Sequence, residues 1–457
     1  MTPDHVEAHP WPTFWAASGA VFLVSLDATI AVAAFPALRA EFPAATPALL
    51  SWTLNSYTIL YAALLVPSGR LADLFGRKRL FLTGIAIFTV ASAMCGLAID
   101  PYTLIISRAG QAVGGALLTP SSLALVLGAF PPNKRAATVG LWSAVGALAA
   151  ALGPAAGAAL IEASSWRAAF LINLPVGLAL IWLAKRNLIE SRSPELGAPL
   201  DGPGIALLAA GAGALALAIV QSEAWGFADE RISIAALSGA ALLAGYAVWA
   251  RGRANAALDL SLFADRTYAF ASLATLMFGV AFSIMFLSAY LFMIEIWNFS
   301  PPMAGLALMP GPLMVIPASI LAGRLAGQIG HRPLIVAGGV LYALAQVLVI
   351  ARAGDEPAYW TVWFPSQLAS GLAIGLMLSS LAGAAVARLP ASRFGVGGAV
   401  NNAIRQLGGV FGAAIAVALV GAVGPDLARF QASFMTMATL GLVVAGLALP
   451  IDTRPDR

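Results

Sequence analysis

The chain is written as fourteen long apolar runs, and nothing constrains its folding more. They lie near 13–35, 49–69, 80–99, 102–125, 136–161, 167–184, 204–222, 232–250, 268–292, 303–324, 333–351, 359–384, 395–422 and 432–450. A helix needs about 20 apolar residues to cross roughly 30 Å of hydrocarbon. Lipid-facing strands alternate every second residue, and these runs are continuous. In hydrocarbon each backbone polar group must also be paired within its own segment, so helices are expected throughout. With 60% hydrophobic and 10% charged residues and a mean hydropathy of +0.87, the composition belongs in a bilayer. The expected fold class is an all-α polytopic membrane protein with 14 transmembrane helices.

Lys and Arg fix the expected orientation, because cytoplasmic loops carry the excess. With the N-terminus inside, the inner loops and tail hold eighteen basic residues, among them Arg70, Arg77, Lys78, Arg79, Lys185 and Arg186, and the outer loops five: Arg39, Arg167, Arg231, Arg352 and Arg429. Both termini are therefore expected in the cytoplasm, in a cell (inner or plasma) membrane. Trp166, Trp225, Trp297, Trp360 and Trp363 at outer ends, and Trp11, Trp15, Trp182 and Trp249 at inner ends, read as interface anchors. MTPDHVEAHPWPTFW carries no basic n-region, so the first apolar run is expected to stay as a span.

The phrase GRLADLFGRKR (69–79) returns as GRLAGQIGHR (323–332), an offset of 254. Independently, GLWSAVGALAAALGPAAGAAL (140–160) aligns with GVGGAVNNAIRQLGGVFGAAI (395–415) at an offset of 255, pairing Gly153 and Gly157 with Gly408 and Gly412. Two registers one residue apart imply two related six-helix halves, 12–184 and 268–450, with 185–267 a linker carrying spans 7 and 8 between them. Repeats of this kind are the signature of alternating-access transporters, whose substrate sits between the halves near the midplane.

The same residues resemble the major facilitator superfamily and, within it, the fourteen-span drug:proton antiporter branch. GRLADLFGRKR is similar to that superfamily's motif between spans 2 and 3. SLDATIAVAAFPAL (25–38) resembles the branch's first-span motif, RAGQAVGGA (108–116) the fourth-span motif, GALAAALGPAAG (146–157) the antiporter motif of span 5, and SWRAAFLINLPVG (165–177) the entry to span 6. Ala31, Val32, Ala112 and Ala158 depart from the usual residues. The resemblance implies the major facilitator fold with two inserted helices. It also implies a gate built from Gly69, Arg70, Asp73, Gly76 and Arg77, Asp73 facing a helix N-terminus of the other half and Arg77 bracketing it. Ordinary positive-inside charge explains Arg77, Lys78 and Arg79 equally. Gly327 stands at the Asp73 position of the second copy, so only one half carries the carboxylate.

Asp27 is the sharpest single residue. At 1.5 Å per residue it lies about 18 Å along its span, where a carboxylate costs ~2.5–3.5 kcal/mol on insertion scales. Burial favours the neutral form and a neighbouring arginine the charged one, which suits proton coupling; a structural ion pair is the alternative. Arg108, in span 4, reaches a similar depth of about 10 Å from the outer surface and is the expected partner. Gln111, one turn on, is a candidate substrate contact; the stripe Asn402, Arg405 and Gln406, whose repeat partners are all alanine, is a candidate contact to substrate or to the opposing half, with helix packing as the equal alternative. Proline permits a kink and glycine close helix approach, so plain bilayer packing explains each of Gly153, Pro154 and Gly157 alone; their spacing with Gly146 fits the antiporter motif, and the resemblance implies that they seal the outer gate.

Other chemistries find little material. Cys95 is the single cysteine and reads as a packing residue; His5, His9 and His331 have no metal-ligand spacing. No metal or cofactor is expected, no nucleic-acid partner from a net charge of +4, and no enzyme without a nucleophile–base pair. The expected function is export of an amphipathic drug or antibiotic in exchange for protons, by a monomer in the lipid bilayer. An endogenous metabolite or lipid-like cargo is the alternative, since only one carboxylate but two arginines lie mid-span.

Overall fold

The computed structural model describes residues 10–192, 201–226, 228–253, 256, 258–389, 394–420 and 426–453. Among them there are α-helices and short 3₁₀ and π turns, and no strand. In chain order the helices are α1 (Pro10–Ala33), α2 (Phe35–Glu41), α3 (Pro47–Phe75), α4 (Arg77–Gly96), α5 (Pro101–Ala129), α6 (Pro132–Ala163), α7 (Trp166–Leu171), α8 (Asn173–Asn187), α9 (Gly202–Trp225) and α10 (Glu230–Ala250). They continue with α11 (Arg266–Glu295), α12 (Pro301–Leu308), α13 (Pro310–Ile329), α14 (Arg332–Arg352), α15 (Phe364–Val386), α16 (Phe394–Val420) and α17 (Leu427–Ala448). Among the described residues, thirteen stretches are long and apolar enough to cross a membrane. The expected run 395–422 corresponds to α16, 27 residues long but not one of the thirteen. The chain is a multi-pass membrane protein.

Two compact units form. The first comprises the described residues up to Pro132 with Leu152–Leu260, the second Asn133–Ala151 with those from Ser261 onward. In the first, α5 packs against α1, α3 and α4, while α8 packs against α1 and α4. In the second, α15 packs against α11, α13 and α14, while α17 packs against α11 and α14. The same neighbours recur, pair for pair. The first unit also carries α9 on α3, and α10 on α9. Asn55 of α3 donates its amide to Gln221 of α9 at 3.4 Å, and Trp249 of α10 donates Nε1 to the Asp201 carboxylate at 2.8 Å.

The repeated phrase has a local cause as well. Each copy turns at a glycine of positive φ, Gly76 at 111° and Gly330 at 77°, where an L side chain is strained. Each turn is then closed from far along the chain. Glu190, beyond α8, accepts the backbone N–H groups of Lys78 and Arg79, both at 3.1 Å, and so caps α4. Thr453, beyond α17, accepts the backbone N–H of His331 at 2.9 Å, ahead of α14.

The His331 ring nitrogen Nδ1 also meets Thr453 Oγ1 at 3.0 Å, and burial pushes the imidazole down to about 4. A depressed histidine stabilises the fold fully above its ordinary value near 6.5. That contribution is lost as pH falls from there toward 4, at about 1.4 kcal/mol per pH unit. His331→Gln is therefore expected to flatten the fall in melting temperature of the detergent-solubilised protein between pH 6.5 and 4. Parallel wild-type and variant curves would remove His331 as the cause.

Three of the tryptophans expected at the interface are buried instead: Trp166 and Trp297 are each 3% exposed and Trp363 1%. Trp363 stacks on Phe292 with centroids 5.5 Å apart, and Trp297 donates Nε1 to the Gly354 carbonyl at 3.0 Å. Packing against aromatic partners, with the indole N–H satisfied where backbone offers it, outweighs anchoring at the headgroups. Trp11, Trp15, Trp182 and Trp360 are exposed, as anchors should be.

Candidate functional site

Inside the first unit a polar cluster is drawn from five helices. Asp27 of α1 is 1% exposed, Arg108 and Gln111 of α5 are 2% and 0%, and Ser92 of α4 and Asn173 of α8 are fully buried. Arg108 Nη1 donates to Asp27 Oδ2 at 2.6 Å and to Gln111 Oε1 at 2.7 Å, while its Nε donates to the Thr53 carbonyl of α3 at 3.1 Å. Asp27 Oδ1 accepts from Gln111 Nε2 at 3.1 Å and from Asn173 Nδ2 at 2.7 Å. The guanidinium lies over the Tyr57 ring, 4.3 Å from its centroid.

Local sequence explains how these groups arrive. Span 6 breaks at Ile172, between α7 and α8. Pro175 has no N–H for the Leu171 carbonyl and its ring crowds that oxygen, so the helix restarts with Asn173 as its first residue. Ser92 and Cys95 stand three apart on one face of α4. Ser92 Oγ donates to the Phe88 carbonyl and accepts from Gln111 Nε2 at 2.6 Å and Asn173 Nδ2 at 3.3 Å. Cys95, expected only to pack, donates Sγ–H to Gln111 Oε1 at 3.3 Å.

A buried ion pair survives desolvation only where further hydrogen bonds satisfy its remaining atoms, and this one has them. With both groups ionised, the pair carries no net charge. The pair has no counterpart in the second copy of the repeat: under either offset, Asp27 maps to Ala281 or Phe282 and Arg108 to Val362 or Trp363.

The antiporter-motif glycines bear on the same stretch of α1. A Cβ at Gly153 would overlap Thr29 Oγ1 and lie 3.1 Å from the Leu26 carbonyl, and one at Gly157 would lie 3.3 Å from Ile30 Cα. A Cβ at their counterparts Gly408 and Gly412 would overlap the Leu276 and Val280 carbonyls of α11. The Pro154 side chain lies outside the described residues.

The other expected site residues have their own neighbours. Asp73 and Arg77 pair across Gly76 at 2.8 Å, both largely buried. Gly69 lies against Pro120 of α5 at 3.6 Å, and Arg70 Nε is buried without a hydrogen-bond partner among the described residues. Arg405 Nη2 donates to Asn402 Oδ1 at 2.9 Å, while Gln406 is half-buried beside them. Asn401, one residue earlier, donates to Thr275 of α11 at 3.1 Å. Gln111, expected to face substrate, has its amide engaged on both sides.

The description of the Major Facilitator Superfamily matches residues 17–291 and, again, 270–457. The chain belongs to the major facilitator superfamily. This facilitator is 33% identical over 435 residues to the "Probable actinorhodin transporter" of Streptomyces coelicolor, covering 90% of this chain and 74% of that one. It is 32% identical to the "Cephamycin export protein CmcT" of Amycolatopsis lactamdurans, over 94% of this chain and 89% of the relative. To the "Tetracenomycin C resistance and export protein" of Streptomyces glaucescens it is 31% identical, over 92% and 78%. In fold, it is similar to the crystal structure of the human organic anion transporter MFSD10, with a TM-score of 0.65 at 16% identity, covering 97% of this chain and 100% of that one.

Proposed function

We propose that this facilitator exports amphipathic drug- or antibiotic-like compounds across the cell membrane in exchange for protons, by alternating access. One observation carries the reading: a carboxylate buried within a membrane-spanning helix, Asp27, paired with Arg108 in a chain whose relatives bear the names of antibiotic exporters. Asp27 and Arg108 couple the proton, and Gln111 acts with them rather than on the substrate. Asn402, Arg405 and Gln406 form a polar face for the cargo, while Gly153, Pro154 and Gly157 seal the outer gate. Energetically one charge crossing about 100 mV supplies roughly 2.3 kcal/mol, enough for about fortyfold accumulation. We read the fold as fourteen spans, six in each half (12–184 and 268–450), with α9 and α10 inserted between them. It acts as a monomer with both termini cytoplasmic.

The test uses energised inside-out vesicles with a dye for lumenal acidity and a panel of monovalent cations, dications, neutral amphiphiles and organic anions. One class is expected to draw protons out, and to do so only with Asp27 present. Proton flux that is the same in Asp27→Asn vesicles sinks the coupling assignment. If no panel compound moves protons but labelled cell extract does, the cargo is an endogenous metabolite.

Gly69, Arg70, Asp73, Gly76 and Arg77 form the inner gate in this reading. Asp73→Asn removes the pair with Arg77, which is worth about 1 kcal/mol or less in stability. Turnover is expected to slow several-fold with near-normal substrate binding. A large loss of binding with unchanged turnover at saturation counts against a gating role.

A further inference from the structure

We propose that Asn173 is the positioning residue that lets Asp27 exist both with and without its proton. The inference rests on the proton-coupled reading above and concerns how the site tolerates two charge states.

A charged carboxylate only accepts hydrogen bonds, and Asp27 accepts three: from Arg108, Gln111 and Asn173. Once protonated, the same group becomes a donor and needs an acceptor. Arg108 offers none. Gln111 Oε1 already takes Arg108 Nη1 and the Cys95 thiol. Among its neighbours, Ser92 Oγ donates to Phe88 and takes both Gln111 and Asn173. Asn173 Oδ1 is buried and has no hydrogen-bond partner among the described residues. Of the side chains hydrogen-bonded to Asp27, Asn173 alone therefore holds an acceptor in reserve.

A half-turn of the terminal amide exchanges its two ends. This torsion is broad and two-fold, so the side chain's own rotamer preference permits both orientations. In one orientation Nδ2 donates to the carboxylate, and in the other Oδ1 accepts from the carboxylic acid. Aspartate, serine or a hydrocarbon at this position would lose the exchange of an –NH₂ for a carbonyl at one point in space. The other titratable groups around Asp27 do not substitute. Arg108 of α5 stays charged, Cys95 of α4 is turned to Gln111, and the Tyr57 hydroxyl of α3, without a hydrogen-bond partner among the described residues, lies against Gly115.

Infrared titration of the purified protein, with protons as the only ligand, tests this. The Asp27 carboxylic-acid band is the one absent from Asp27→Asn. In Asn173→Leu its titration midpoint is expected to move to higher pH by about one unit. The lost bond to the charged form is stronger than the lost bond to the neutral one, and tenfold in affinity is one pH unit. Asn173→Ala, which leaves room for a water, is expected to move in the same direction by less. It also serves as the readout if the leucine variant does not accumulate. The wild-type amide band of Asn173 should change with the acid band and vanish in both variants. If no acid band distinguishes wild type from Asp27→Asn, proton coupling at Asp27 fails, and this inference with it. If that band exists and keeps its wild-type midpoint when Asn173 is replaced, the inference alone is overturned.

Discussion

Asp27→Asn is expected to abolish proton-coupled export while leaving a folded protein. Asparagine keeps the shape of the side chain and one oxygen that can accept from Arg108. The arginine also retains the Thr53 carbonyl, Gln111 Oε1 and the face of Tyr57. Its buried charge is thus not abandoned, and the loss falls on the proton. Substrate accumulation in energised vesicles should drop from the roughly fortyfold that one charge at about 100 mV can sustain to no accumulation at all. Binding of the same compound in detergent should persist. A variant that still concentrates substrate would remove Asp27 from coupling, whatever the geometry around it.

Arg108→Leu should have the largest effect on stability. It deletes the charge that balances Asp27 and takes one donor each from the Thr53 carbonyl of α3 and Gln111 Oε1 of α5. Breaking a buried pair from one side costs about 3–5 kcal/mol. In the Asp27→Asn background the same substitution should cost markedly less, because no charge is then stranded. Thermal unfolding of the four proteins in one detergent closes the cycle. Equal losses in both backgrounds would show that the 2.6 Å contact carries no coupling energy.

Much of this architecture is legible from the chain because hydrocarbon leaves a segment few choices. Long apolar runs mark helices to within a few residues, as Arg77–Gly96 against 80–99 illustrates. The Asp27–Arg108 pair is readable as two charges at matching depth, each too expensive to leave alone. Asn173 and Ser92 were not readable. A neutral polar residue in an apolar run carries little penalty, and only the break before Pro175 could have pointed to Asn173. The tryptophans misled for a related reason. Position along a span is visible in sequence, but not which face turns inward, so Trp363 reads as an anchor and stacks on Phe292 instead.

The far-reaching caps bear on biosynthesis. Glu190 follows Lys78 by 112 residues, and Thr453 follows His331 by 122. During translation each of these helix starts therefore waits with open amides, the first until α8 has been made and the second until α17 has been made. Each turn is latched only after that later helix, which gives a membrane-insertion machinery or a quality-control protease a clear mark of an unfinished chain.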